Sequence, residues 1–470
     1  MRGIDANFLY NETATLHMHT LKVAIFDPSP AIGTPSFDFV RDELGRRLQS
    51  LPPLRRRVVE VPFGLEHPVL IEDPDFDIEY HVRRLVVPEP GSRADMDEAI
   101  AEVASRPLDR QRPLWELYVL EGLDDGRIGI LVKIHHALAD GVAAAQLLAN
   151  VMSTDPEVTE PAEGPRWAPE PVPDSWRLVL DALLDAVAAV FRLPSLIRAT
   201  VRSVPRARRA SREAGVRLPR PIFDAPNVSF SRALTPHRSF ATTSLPLQVA
   251  KEVASANHVT LNDVVLATAG GALRAYLTDR DELPAKSLTA SVPVSTDPPG
   301  VTHLSGNHVS NLFTTLATDL DNPLARLRTI HDVTAVAKEV NRLLGTSLME
   351  DWVEYTPPRP YAWVMREYGR LRLANWHPPP VNVVVSNVAG PREPLYAAGA
   401  RLVELYSVGP ILEGVGLNIT LWSYLGDMNV GILGCRELVP EPRQIGDLMH
   451  AALDELAAAS SIQSSSLNTR

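Results

Sequence analysis

Apolar residues along this chain fall into two rhythms, one of three to four positions and one of short continuous runs. Over 37–50, Val40, Leu44 and Leu48 keep a helical spacing, and over 94–105 Met96, Ile100 and Val103 repeat it. The runs 117–120 and 128–134 flank Asp124-Asp125-Gly126, a turn-forming triplet, and predict two adjacent strands. Asp140 offers its side chain as an N-cap for a helix over about 141–152. Beyond residue 220 the spacing predicts helices near 261–279, 323–344 and 442–458. It predicts strands near 288–294, 381–387, 403–408, 416–424 and 428–434. No repeat of fixed period is present. The mixture predicts an α/β protein of the α+β type, with a mixed sheet and helices in each of two domains.

Prolines place the boundary between those domains. Pro156, Pro161, Pro165, Pro169, Pro171 and Pro173 lie among acidic and small residues, a composition that excludes a helix and suits a linker. The domains are therefore expected over 1–155 and 221–470, with 156–220 between them and a disordered serine-rich end from Ser460. Within the connecting segment, Trp176, Leu180, Leu183, Leu184, Val187, Val190 and Phe191 form one helical stripe, which Pro194 should break or kink. From Arg192 to Arg220 there are nine arginines against one acid, Glu213. Two readings stand: a stripe packed on the core beside a solvated arginine face, or an anchor to an anionic membrane surface.

That local basicity stands out because the whole chain is acidic. Its 470 residues carry 46 Lys and Arg against 57 Asp and Glu, a net charge of −11. Such a balance argues against a general nucleic-acid binder. A single cysteine, Cys435, excludes an internal disulfide and fits a reducing compartment. No basic region precedes an apolar run at the start, so no signal peptide is expected. No run of 18 apolar residues free of charge is available to cross a bilayer.

The chemistry is concentrated in Lys133-Ile134-His135-His136-Ala137-Leu138-Ala139-Asp140-Gly141. Strand alternation sends His135 and His136 to opposite faces, so one should be structural and the other should face a cleft. Adjacent histidines with an aspartate four positions on are not the usual helix-borne metal spacing, and no metal is expected. Asp140 as a simple cap, and both histidines as ordinary core residues, remain the plain alternatives.

His135-His136-Ala-Leu-Ala-Asp140-Gly141 matches the HHxxxDG motif of the CoA-dependent acyltransferase superfamily. Further segments narrow the match: Asp5-Ala-Asn-Phe-Leu-Tyr10, Pro113-Leu114-Trp115, Leu261-Asn262-Asp263-Val264, Ser291-Val-Pro-Val-Ser295, Gly306-Asn307, Ser386-Asn387 with Gly390-Pro391, and Gly416-Leu-Asn-Ile-Thr420. Together, and in this order, they resemble the bacterial bifunctional wax ester synthase/diacylglycerol acyltransferase family. The resemblance implies two acyltransferase-like domains with the active site at their interface. It implies transfer of a fatty acyl group from acyl-CoA, a substrate and not a cofactor, to diacylglycerol or a long-chain alcohol. His136 would be the general base, supported by His135, by Asp140 fixing the loop through an arginine, and by Gly141 keeping the donor channel open. Asn262 would line the site and polarise the thioester with Asp263 structural, although Thr260 and Asp263 also read as a capping box. Pro113, Leu114 and Trp115 would shape core or tunnel, and Asn307 and Asn387 would line the substrate. The resemblance further implies a cytoplasmic protein held peripherally on the inner membrane face or on lipid droplets. Two departures from the family pattern, Asp297 and Ala389, bear on substrate preference. A condensation-type transferase with another acceptor, or a non-catalytic lipid-binding protein on the same scaffold, are the alternatives.

Overall fold

A computed structural model describes residues 1–28, 36–140, 143, 147, 151–156, 169–216, 218–219, 224–296, 306–345, 348–397 and 399–460. The strands are β1 (His19–Asp27), β2 (Arg56–Val59), β3 (Val69–Glu72), β4 (Val82–Val86), β5 (Trp115–Glu121), β6 (Ile128–His135), β7 (Arg238–Pro246), β8 (Thr289–Ser295), β9 (Val309–Thr315), β10 (Val383–Ala389), β11 (Tyr396–Ala397), β12 (Ala400–Val408), β13 (Leu417–Tyr424) and β14 (Asp427–Cys435). They form two six-stranded sheets, ordered β11-β12-β1-β6-β5-β4 and β7-β14-β13-β10-β8-β9, with β2 and β3 as a separate pair.

The first sheet is covered on both faces, so β1 is almost continuously buried and does not alternate. Its Leu21, Val23 and Ile25 pack against Ile100 and Val103 of helix Arg93–Ala104. Ala24 and Phe26, on the opposite face, meet Leu44 of helix Phe37–Arg47 and Leu54. In the second sheet, Ile419, Leu421, Val430 and Ile432 pack under helices Leu261–Thr278 and Pro442–Ala459. Helix Pro323–Leu344 completes that layer through Leu327 and Ile330.

The two halves are not separate in chain order. β12 pairs antiparallel with β1, Leu21 opposite Val408, so a strand from the second half completes the first sheet. A division into 1–155 and 221–470 omits this exchange. Buried main-chain groups at the edge of β1 need partners, and β12 supplies them. The crossing is tight: a Cβ on Gly431 of β14 would lie 2.6 Å from the Ser407 carbonyl oxygen, so only glycine fits there. β12 thereby brings Ser407 between the sheets.

The connecting segment bears on both of its readings. One helix runs Ser175–Glu213 through both Pro194 and Pro205, so Pro194 does not end it. Its stripe does not pack on the core: Trp176, Leu183, Leu184, Val187, Val190 and Phe191 are all more than half exposed, Phe191 at 80%. Leu178 and Ala182 face inward onto Val61 instead. Downstream the helix lies along Pro323–Leu344 and is tied by Trp352 Nε1 donating to Thr200 Oγ1 (2.9 Å) and Tyr355 OH donating to the Ala189 carbonyl (3.0 Å). Most of the expected 141–152 helix, most of the proline-rich stretch and the serine-rich end lie outside the described residues.

Candidate active site

β6 delivers the histidine pair to the gap between the sheets. His135 ends the strand fully buried, its Nδ1 accepting from the Ala137 amide (3.0 Å). Its Nε2 lies 3.5 Å from a Glu12 carboxylate oxygen, and Arg110 holds that carboxylate on the other side. His136 turns the opposite way into a cavity of about 450 Å³. Its ring stacks on Phe8 with centroids 4.2 Å apart. His135 is thus committed to the core and His136 is available to a ligand.

Asn307 decides which nitrogen of His136 is basic. Its Nδ2 donates to the His136 carbonyl (2.8 Å) and to Asp5 Oδ1 (2.9 Å), acceptors that assign the amide orientation. Asp5 Oδ1 also accepts from the Asn307 main-chain N–H at 2.8 Å, and an Arg2 guanidinium N–H donates to the Asn307 carbonyl at 2.6 Å. Asn307 Oδ1 therefore faces His136 Nδ1 (2.8 Å) and can only accept. The proton sits on Nδ1, and Nε2 keeps its lone pair. Burial pushes the His136 pKa down to about 4, with Asp140 and the Asn307 bond pulling the other way. At neutral pH the ring is uncharged and able to accept a proton.

Asp140 holds the loop that carries this histidine. Its Oδ1 accepts from the Ala143 amide (2.9 Å), the bond of a helix cap, and its Oδ2 accepts from the His308 amide (2.8 Å). Where an arginine was expected, the bonds that fix Asp140 include these two main-chain N–H groups. Gly306, at φ +84°, donates to the Leu138 carbonyl at 2.8 Å and accepts from the Asp140 amide at 3.2 Å. The motif loop and residues 306–308 are therefore stitched together across the two halves.

The cavity wall draws on both sheets: Thr20, Lys22 and Ser407 from the first, Ser291, Asn387 and Asn418 from the second. Ala389 lines it too, while Gly141 and Asp297 lie outside the described residues. Pro113, Leu114 and Trp115 sit beneath the histidines. The Leu114 carbonyl accepts from the His135 amide (2.9 Å), and the buried Trp115 indole donates to the Leu54 carbonyl (2.6 Å). They shape the floor and do not line the cavity around His136.

Asn262 and Asp263 are not brought to His136. Both belong to the start of helix Leu261–Thr278, and neither lines the cavity. Asp263 forms a capping box with Thr260 and accepts from or pairs with His331 Nδ1 at 2.8 Å. Asn262 as a polariser of the thioester is therefore corrected: its helix packs on the outer face of the second sheet. Sequence reasoning gave no role to Asp5, Phe8, Lys22 or Ser407. Asp5 and Phe8 stand within a quoted motif, whereas nothing in the local pattern around Lys22 or Ser407 signals a cleft.

Comparison with known proteins agrees with this arrangement. Residues 1–265 match the wax ester synthase/diacylglycerol acyltransferase catalytic domain, and residues 305–457 match the corresponding C-terminal domain. A putative diacylglycerol O-acyltransferase of Mycobacterium tuberculosis is 39% identical, over 98% of this chain and 96% of its own. The structure of a wax ester synthase/diacylglycerol acyltransferase from Marinobacter aquaeolei VT8 matches with a TM-score of 0.68 at 26% identity, covering 97% of this chain and 98% of that one. The first condensation domain of the CDA synthetase shares the fold, with a TM-score of 0.54 at 16% identity and 98% of each chain covered. With both family domains matched in order and the motif histidine at the cleft between two sheets, the chain belongs to the wax ester synthase/diacylglycerol acyltransferase family.

Proposed function

We propose that the protein transfers a long-chain acyl group from acyl-CoA to the free hydroxyl of diacylglycerol, forming triacylglycerol, and that long-chain alcohols can serve as acceptors to give wax esters. The observation that carries this reading is His136, held with its proton on Nδ1 so that Nε2 is the basic nitrogen, and lining a cavity between the sheets. The acceptor hydroxyl donates to Nε2, and its oxygen attacks the thioester carbonyl as the proton passes to the imidazole. The tetrahedral intermediate collapses, the carbon–sulfur bond breaks, and the imidazolium returns the proton to the CoA thiolate. No acyl-enzyme forms. Cys435 is fully buried, bonded to Thr235 and Glu437, and does not line the cavity.

The substrates reside in lipid, and the surface supports work at a lipid interface. The exposed stripe of helix Ser175–Glu213 is joined by Phe63 and Leu65 and by Trp363, Val364 and Trp376 (83% exposed). The turn at 62–64, which carries Phe63, touches both that helix and helix Pro358–Arg370, which carries Trp363 and Val364. Arg192, Arg198, Arg202, Arg206, Arg208, Arg209 and Arg212 are exposed along the same helix. An apolar face with a basic flank suits an anionic membrane or lipid-droplet surface, on the cytoplasmic side. No described helix is long and apolar enough to cross a membrane.

Purified protein incubated with labelled palmitoyl-CoA and diacylglycerol, hexadecanol or no acceptor tests the transferase reading. Labelled triacylglycerol that disappears in His136→Ala is the expected result. Free fatty acid alone, or no product from a folded protein, contradicts it.

A further inference from the structure

β1 carries a buried cation that the transfer chemistry does not use. Thr20, Lys22, Ala24 and Phe26 occupy alternate positions of β1 and therefore share one face. Thr20 and Lys22 line the His136 cavity. Lys22, Ala24 and Phe26 line a second cavity of about 130 Å³, whose other walls include Leu54, Trp115 and Ile130. Lys22 is the residue common to both linings. The run from Thr20 to Phe26 spans roughly 20 Å at the rise of an extended strand, comparable with a long fatty chain.

Lys22 is only 3% exposed. Its ammonium donates to Ser407 Oγ and lies 4.7 Å from the centre of the Trp422 ring. Among the described residues no carboxylate pairs with it directly; its contacts are a hydroxyl and a ring face, with Asp140 acting on its charge from further off. Burial lowers its pKa to about 8, with Asp140 pulling the other way. An ammonium has three donors, and at a lipid-lined neck an alkyl chain offers it nothing. A ligand that places an oxygen acceptor at this depth removes that penalty. Diacylglycerol has ester carbonyls a few bonds from its free hydroxyl. A fatty alcohol has none, and an acyl-CoA chain has no polar atom beyond the thioester.

We propose that Lys22 is a specificity-determining residue for the acceptor: its ammonium donates to an ester carbonyl of diacylglycerol, while a segment of one acyl chain of that acceptor enters the apolar cavity behind it. The proposal rests on the transferase reading above and names the group of the acceptor that is recognised. Polar groups built to meet a ligand atom discriminate strongly against analogues that lack it, because the site group is then left without a partner.

The test compares 1,2-dioleoylglycerol with its 1,2-dioleyl ether analogue, which keeps the hydroxyl and chains but has no carbonyls, in the same detergent micelles with palmitoyl-CoA. Wild-type protein is expected to favour the ester in kcat/KM by about tenfold or more. Lys22→Met, which keeps the stem and removes the donor, should bring the two acceptors close to parity. Equal use of both acceptors by the wild type overturns the proposal without recourse to any variant. So does an ester preference that survives intact in Lys22→Met. Failure of the wild type to acylate either acceptor overturns the transferase reading and the proposal with it, whereas turnover without ester preference overturns the proposal alone.

Discussion

One imidazole proton governs the chemistry of the cleft, and its position is set from outside the HHxxxDG motif. Asp5 and the His136 carbonyl fix the Asn307 amide, and the amide fixes the ring. Because His136 is held down to about 4, it is neutral from pH 8 to pH 5 and loses its lone pair only as pH falls through about 4. The acid limb of kcat/KM, measured with short soluble substrates, is therefore expected near pH 4; a limb at 6.5 would contradict the assignment. His136→Ala should lower turnover by roughly 10²–10⁴ with the fold retained, since the ring ends in a cavity. Asn307→Asp sets a carboxylate opposite Nδ1, which favours the charged ring and should move the acid limb upward. A purely structural Asn307 would change turnover and leave the limb in place. At this scale the sequence was partly legible. His136 was marked by its motif and by strand alternation, but Asn307 reads only as half of Gly306-Asn307, and its partners lie 171 and 302 positions away. Asn262 misled because a helix cap and a family motif occupy the same residues, and the capping box accounts for the first of these.

The elements show where pattern is informative and where it is not. Helices Arg93–Ala104, Pro323–Leu344 and Pro442–Ala459 were legible because each buries one side and advertises the helical period, whereas Leu261–Thr278 is buried on nearly every side. β1 was not, although it is central to the first sheet: one of its faces is ordinary core, and the other carries Thr20 and Lys22 toward a cleft. Its mixture of polar and apolar residues has no simple period. Helix Ser175–Glu213 posed the opposite problem, a clear stripe whose direction no pattern can reveal. Its outward orientation favours the lipid-surface reading. Charge reversal at Arg202, Arg206, Arg208 and Arg209 should weaken sedimentation with anionic vesicles, because each basic residue contributes about 1 kcal/mol near such a surface. Trp363→Ser with Trp376→Ser should weaken binding at high salt as well as low, since insertion of rings is not screened. If both variants bind anionic vesicles like the wild type at low salt, the face has another use.

At the scale of the whole molecule, the two halves are joined by the β12 exchange, by the Asp140 loop, and by a layer of buried basic groups. His17 stacks on His19 with centroids 5.6 Å apart, His19 meets the edge of His135, and His17 Nε2 lies 3.3 Å from the Pro236 carbonyl of the second half. Lys133 and Arg238 are buried in the same region. Burial, reinforced by Arg238, pushes His17 down to about 4; burial and Lys133 push His19 well below its ordinary value. Burial also lowers His81, and His136 lies near 4. All four remain neutral in the folded protein while the unfolded chain takes up protons near pH 6.5, so their contribution to stability is full above 6.5 and falls as pH drops toward 4. Asp97 acts in the other direction. Burial raises it to about 6, so the folded state gains its proton first and is favoured as pH falls through that value. Burial raises Glu413 and Glu350 too, in the same direction; four imidazoles against these three carboxyls leave a net loss on acidification. The apparent melting temperature should fall by several degrees between pH 7.5 and pH 5, measured at constant ionic strength by a dye-free fluorescence melt. His19 has both ring nitrogens buried without a hydrogen-bond partner among the described residues, so His19→Leu removes a titrating group from the layer at little cost in bonds. That variant should show a shallower fall over the same interval. A melting temperature that is flat from pH 7.5 to pH 5, or a variant whose fall is as steep as the wild type's, would show that this layer is not what couples proton uptake to unfolding.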